Sequence, residues 1–262
     1  MPRAKKTKSE SIEAEQSPPE KAVSTSEDKS AKLAKLKEKA AKLAKEVKGE
    51  EVKIISPKKE EEANTLVPIQ DYLKSSIHLG TRAITPDMKP YVYKRRADSL
   101  AVFNTTLLDE KLREGAEYLA QFAPEEIAVV CKRESGHKVV ELFSKITGIR
   151  CFTKQYPAGI LTNPNLETFF EVELVLVCDP WTDKNALNDA KRIKIPILGI
   201  CDTNNYTMDV TKIIPGNNKS AKSLGMIFYL LTKLYVEKRK LNVQVPSIQE
   251  FVEGWDDLVP PK

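Results

Sequence analysis

From about residue 66 onward, the apolar positions of this chain fall into two alternating rhythms. Short unbroken apolar runs, IAVVC at 127–131, LVLVC at 174–178 and ILGIC at 197–201, alternate with stretches in which apolar residues recur every three or four positions. Runs that short and that continuous predict strands buried on both faces, and the intervening periodicity predicts helices. On this basis helices are predicted over 136–147 and 185–191, short strands at 150–152 and 212–214, and a long last helix over 218–238. Ahead of the alternation, the pattern predicts a short helix at 68–75 and two strands at 91–93 and 100–103 around a turn at Ala97-Asp98. A helix over 105–122 follows, with Leu107, Leu108, Leu112, Ala116 and Leu119 as its apolar stripe and Thr105 as its cap. Strands alternating with helices make the expected fold α/β, a doubly wound parallel sheet of the flavodoxin or Rossmann kind flanked by helices.

Residues 1–62 break this rhythm. They carry sixteen Lys/Arg against thirteen Asp/Glu and no aromatic residue. Such a segment has too little apolar surface to offset its ordering entropy and is expected to be largely disordered. Within it, Leu33, Leu36, Ala40, Leu43 and Val47 mark one stripe of a lysine-rich amphipathic helix at 31–47. That helix could lie on RNA, an acidic partner or a membrane surface, or remain solvated. The expected organisation is therefore a charged extension at 1–62, an α/β domain at 63–242 and a tail at 243–262.

Charge changes the picture more by position than by total. The chain is formally +5, and Arg82, Lys89, Lys94, Arg95 and Arg96 against Asp87 alone concentrate a net +4 in one short segment. Tyr91 and Tyr93 interleave with these cations and offer stacking faces beside phosphate-binding groups, while Pro86 and Pro90 stiffen the approach. A second candidate is the loop 154–165, with Lys154, Thr162 and Asn163. The third is IPGNNKSAKS, in which Gly216 allows a tight turn, Asn217 or Asn218 can cap the last helix, and Lys219 and Lys222 stand at its positive end.

Chemistry of other kinds is sparse. GxSxG, HExxH, GxGxxG and GxxxxGK[ST] are all absent, and the two histidines lie in no recognisable motif. Asp179 and Asp202 follow strands, where doubly wound enzymes keep their acids, but read equally well as turn residues. Cys131, Cys151, Cys178 and Cys201 are too far apart for a zinc knuckle and are expected to be small buried hydrophobes. No catalytic residue, metal, cofactor or small-molecule substrate is expected. The rival reading is a nucleotide held at the strand carboxyl ends through Asp202 and Lys219. MPRAKKTKSE has no apolar core behind its charges, and the longest apolar run, 225–231, is far short of the ~20 residues a bilayer requires, so the expected location is the cytoplasm.

The strings HLGTRAITPDMKPYVYKRRADSLAVFN, GILTNP, LVLVCDP, IPILGICDTNN and IIPGNNKSAKS resemble, in order and spacing, the signature blocks of the S-two family of small-subunit ribosomal proteins. The eukaryotic members of that family include the laminin receptor precursor. YVYKRRADSLAVFN is similar to the archaeal and eukaryotic branch. Ile160 stands where the family usually carries Thr, and one hydroxyl contact to RNA is expected to be lost there. The resemblance implies a structural, non-catalytic constituent of the small ribosomal subunit. It further implies binding to ribosomal RNA and neighbouring ribosomal proteins near the head–body junction, in support of subunit assembly and translation. The residues expected to touch RNA are Arg82, Lys89, Tyr91, Lys94, Arg95, Arg96, Lys154, Thr162, Asn163, Asn218, Lys219 and Lys222.

Overall fold

The structure is a computed structural model that describes residues 65–255. The expected extension at 1–62, with its helix at 31–47, and the end of the tail lie outside the described residues.

The chain enters through helix α1 (Ile69–Ser75), which Pro68 precedes without a side-chain cap, and reaches a short 3-10 turn at Lys89–Tyr91. Strands β1 (Val92–Arg95) and β2 (Ala101–Phe103) then form an antiparallel hairpin whose register slips between Val92 and Lys94. Helix α2 (Thr105–Leu119) follows. Its cap is Asn104, whose side chain accepts the Thr106 N–H at 3.1 Å; the expected cap, Thr105, is already the first helical residue. An Asn side chain competes well for a free N–H at this position, so either assignment satisfied the sequence pattern.

The remaining order is β3 (Ile127–Cys131), α3 (Glu134–Thr147), β4 (Arg150–Thr153), β5 (Leu174–Val177), α4 (Lys184–Arg192), β6 (Ile197–Cys201), β7 (Lys212–Pro215), α5 (Ala221–Arg239) and α6 (Ile248–Phe251). The five strands β3–β7 pair in parallel in the spatial order β4-β3-β5-β6-β7, the flavodoxin-type winding. The expected doubly wound α/β fold is therefore present, and β3 and β6 have the bounds their apolar runs indicated. The last helix starts at Ala221, three residues later than expected. Its N-cap, Ser220, makes no side-chain cap bond, while Asn217 Oδ1 caps only a local turn by accepting the Lys219 N–H at 3.0 Å. Gly216 has no left-handed backbone; a Cβ there would meet Ile227 Cδ1 at 3.0 Å, so it serves close packing of the corner against α5.

Strand alternation divides the interior in two. Val129, Leu174, Leu176, Leu198 and Ile200 face helices α2, α3 and α5, and with Phe143, Phe228 and Tyr235 they form the larger cluster. Ala128, Val130, Val175, Val177 and Ile197 face the short helix α4 and the long β4–β5 loop, which contributes Tyr156, Ile160, Leu161 and Val172. Residues 243–255, expected as a tail, pack back onto this body. Phe251 and Val252 are buried, and a Cβ on Gly225 in α5 would stand 2.5 Å from the Phe251 carbonyl oxygen. Glycine is needed there for close approach of two backbones, a requirement that a linear hydrophobic pattern does not express.

Candidate nucleic-acid interface

Every residue of β1 after Val92 is exposed, and Tyr93 is 70% exposed. The cause lies in the sequence: VYKR has no apolar alternation, so neither face of the hairpin's first strand is drawn into the core. β2, with Ala101 and Phe103 buried, is the anchoring strand. Its outer edge is tied down by the incoming chain, where Phe103 N–H donates to the His78 carbonyl at 2.8 Å and Gly80 N–H to the Ala101 carbonyl at 2.9 Å. The result is a projecting ribbon on a fixed base. Lys94, Arg95 and Arg96 are all exposed on it, and Lys94 Nζ lies 5.7 Å from the Tyr93 ring centre. Arg96 faces Asp98 at 3.6 Å across a solvated turn, a pair worth less than about 1 kcal/mol. Among the described residues, Arg82, Lys89, Lys94 and Arg95 make no ion pair. Asp87, the one acid of the segment, is turned away and accepts from Thr207 N–H and Oγ1 at 3.1 and 3.2 Å.

The approach to the hairpin crosses the carboxyl end of β6. Thr81 N–H donates to Thr203 Oγ1 at 2.8 Å, and Thr85 Oγ1 donates to the Asn205 carbonyl at 2.8 Å. Arg82 is thereby carried towards the corner that holds Lys219. Lys219 itself pairs with the buried Asp202 at 3.2 Å, and burial raises the Asp202 carboxyl above its ordinary range against the pull of that lysine. Lys222 is exposed in the first turn of α5. Asn218 is only 1% exposed, and its amide donates to the Ile200 carbonyl and to Asn205 Oδ1 at 3.2 and 3.1 Å. Its side chain is thus committed to the interior, where it shapes the corner instead of presenting itself at the surface. Tyr91 is half-buried against Met88 and Phe103.

Lys154, Thr162 and Asn163 are not brought together. Lys154, just after β4, lies with Lys132 and Asp183 at the carboxyl end of the sheet, whereas Thr162 lies at its amino end with Glu126, Glu173 and Ile195. Lys154 has a left-handed backbone (φ 66°) held by its N–H donating to His137 Nε2 at 3.1 Å. Asn163 Oδ1 closes a local turn by accepting the Asn165 N–H at 3.1 Å. Ile160 is 4% exposed within the smaller core cluster. A threonine at that position would point into protein, so the expected loss of an RNA contact through Ile160 does not follow.

Sequence reasoning missed a buried polar strap along the carboxyl edge of the sheet. Arg133, after β3, pairs with Asp179, after β5. Asp179 Oδ1 accepts from Asn205 Nδ2 at 3.0 Å, and Asn205 Oδ1 accepts from Asn218 Nδ2 at 3.1 Å. Alongside, Asp183 accepts the Lys132 and Asp179 N–H groups at 2.8 and 3.1 Å, and burial pushes its carboxyl up to about 6. The β3/β5 boundary is where the winding reverses, the crevice in which folds of this type bind ligands. Here Arg133 and Asp179 pair across it, beside an open cavity of about 300 Å³ lined by Lys132, Lys154, Thr182 and Asp183. Asp202 and Lys219, the pair on which the rival nucleotide reading turned, neutralise each other. Among the described residues no group of three or more His, Cys, Asp or Glu could hold a metal, and no helix is long and apolar enough to cross a membrane.

Fold and surface together define an α/β protein of flavodoxin topology that carries a projecting cationic hairpin. The family model for ribosomal protein S2 matches residues 170–237. The small ribosomal subunit protein uS2 of Nanoarchaeum equitans is 46% identical over 193 residues, covering 72% of this chain and 96% of the relative. The uS2 proteins of Ignicoccus hospitalis and Thermoplasma acidophilum are 42% and 39% identical, over 70% and 74% of this chain and 88% and 96% of theirs. The chain belongs to the ribosomal protein S2 family of the small ribosomal subunit, a structural family without catalytic activity.

Proposed function

We propose that this protein binds small-subunit ribosomal RNA through the projecting hairpin and its approach, and that the α/β body acts as a spacer against neighbouring ribosomal proteins near the head–body junction, supporting subunit assembly and translation. The observation that carries this reading is the exposure of Lys94 and Arg95 on a ribbon anchored from below, with no ion pair to either among the described residues. Arg82, Lys89 and Arg96 extend the same cationic surface, with Tyr91 and Tyr93 beside it; Lys219 and Lys222 supplement it from the corner, where Asn218 acts from within. Lys154 at the carboxyl end of the sheet, and Thr162 with Asn163 beyond it, add separate contacts. Such cations position the protein on phosphates without reading sequence, so specificity comes from RNA shape and from protein neighbours.

Sedimentation of a lysate through a sucrose gradient tests this. The protein is expected to comigrate with small subunits and to lose that comigration when Lys94, Arg95 and Arg96 are changed to Glu. If the unaltered protein stays with free proteins at the top of the gradient, the reading is wrong.

A further inference from the structure

Away from the hairpin, the segments following β5 and β6 expose three large apolar side chains: Trp181 is 65% exposed, Tyr206 62% and Met208 87%. They line one groove of about 430 Å³, floored by Leu187, with the exposed amide of Asn188 and the Lys184 side chain at its border. Its volume falls within the roughly 300–1,000 Å³ typical of sites for small ligands. A soluble surface rarely leaves a tryptophan and a tyrosine this bare beside one cavity unless something stacks on them.

The charge around the groove selects the occupant. On α4, whose sequence is KNALNDAKR, the exposed residues are Lys184, Asn185, Asn188, Lys191 and Arg192, all cationic or amide. The helix's one acid, Asp189, is buried, accepting from Tyr156 Oη and Gly159 N–H at 3.2 and 3.1 Å. Asp209, on the rim, is neutralised by Lys191, which leaves Lys184 and Arg192 as the cations of this face. Bare aromatic rings, unpaired amides and a cationic helix face suit a partner that combines flat rings with negative charge. The groove is also tied to the basic approach, because Thr207, between Tyr206 and Met208, holds Asp87.

We propose that Trp181 and Tyr206 form a stacking site for an unpaired nucleotide of single-stranded RNA, whose flanking phosphates run along the cationic face of α4. This rests on the RNA-binding reading above and adds to it a second contact of a different kind. The bases are held by their faces, which every base possesses, so the site tolerates any sequence.

Tryptophan occurs only at 181 and 255, so in the full-length Trp255→Phe protein the groove carries the sole indole. A fluorescently labelled oligouridylate is titrated into that protein while label anisotropy and indole emission are followed together. Both signals are expected to saturate at the same concentration, with the indole quenched. Tyr206→Ala in the otherwise unaltered chain is expected to weaken anisotropy-detected binding about tenfold, and Tyr206→Phe to leave it unchanged. This arm needs no tryptophan replacement. RNA binding with an unquenched indole and an unaffected Tyr206→Ala protein overturns the stacking site and leaves the hairpin reading standing. Absence of any anisotropy change in the unaltered protein overturns both. A photoreactive side chain placed at Met208 in small subunits isolated from cells separates the occupants: crosslinking to ribosomal RNA supports the site, and crosslinking to a protein, or to nothing, overturns it.

Discussion

The hairpin and the carboxyl-edge strap are both rich in charge, yet they use it in opposite ways. In the strap, Arg133, Asp179, Asp183, Asp202 and Lys219 are engaged with protein partners, and each of the three carboxylates is at most 3% exposed. On the hairpin, Lys94, Arg95 and Arg96 stand in solvent, and among the described residues the only acid that pairs with them is the exposed Asp98. Charge that is buried must be paired and is therefore used in holding the fold, whereas charge left free on an anchored ribbon remains available to a partner. The difference is one of depth and not of residue type.

Asp179→Ala should separate the two regions most sharply. It strips the half-buried Arg133 of its counter-ion and the buried Asn205 of its acceptor, and should cost about 2–3 kcal/mol in denaturant unfolding. The pH dependence comes next. Asp183 titrates at about 6 in the folded protein against an ordinary 3.8, so the folded state binds more protons than the unfolded one between those values. Its contribution therefore favours the fold at low pH and is lost as pH rises from about 4 to 6, a change of roughly 3 kcal/mol. Asp183→Asn should remove that slope; equal pH profiles for the two proteins would show that the carboxyl does not titrate there. Lys219→Met leaves Asp202 without its cation, but the lysine is partly solvated, so a smaller loss of about 1 kcal/mol is expected by the same measurement. At the far end of the scale, changing Lys94, Arg95 and Arg96 together to Gln should alter stability by less than about 0.5 kcal/mol. The same variant should flatten the slope of log RNA affinity against log salt by roughly 2–3, and an unchanged slope would disconnect the hairpin from phosphate binding.

The parallel sheet was legible in the chain because its strands are buried on both faces, and short continuous apolar runs such as IAVVC and ILGIC are the mark of such strands. The hairpin was legible because Lys94-Arg95-Arg96 is local. What escaped was non-local. Nothing near Asn218 in sequence indicates that Asn205 and Ile200 will claim its amide, and nothing near Ile160 marks it as core, because both depend on which segments the winding brings together. Gly225 reads as one residue of an apolar helix until Phe251 arrives from twenty-six positions away. The bare pair Trp181 and Tyr206 come from two loops joined only by the β5–β6 crossover.

Helix α5 has a consequence for the order of events during synthesis. It packs against α1, α2, α3 and α6, and its Leu224, Ile227, Phe228 and Leu231 fill the middle of the larger cluster. A nascent chain that has emerged only as far as β7 holds all five strands with α2 and α3 on this face, but the space between those two helices stays open. It is covered only once residue 239 has emerged, and the final fastening of Phe251 against Gly225 comes later still.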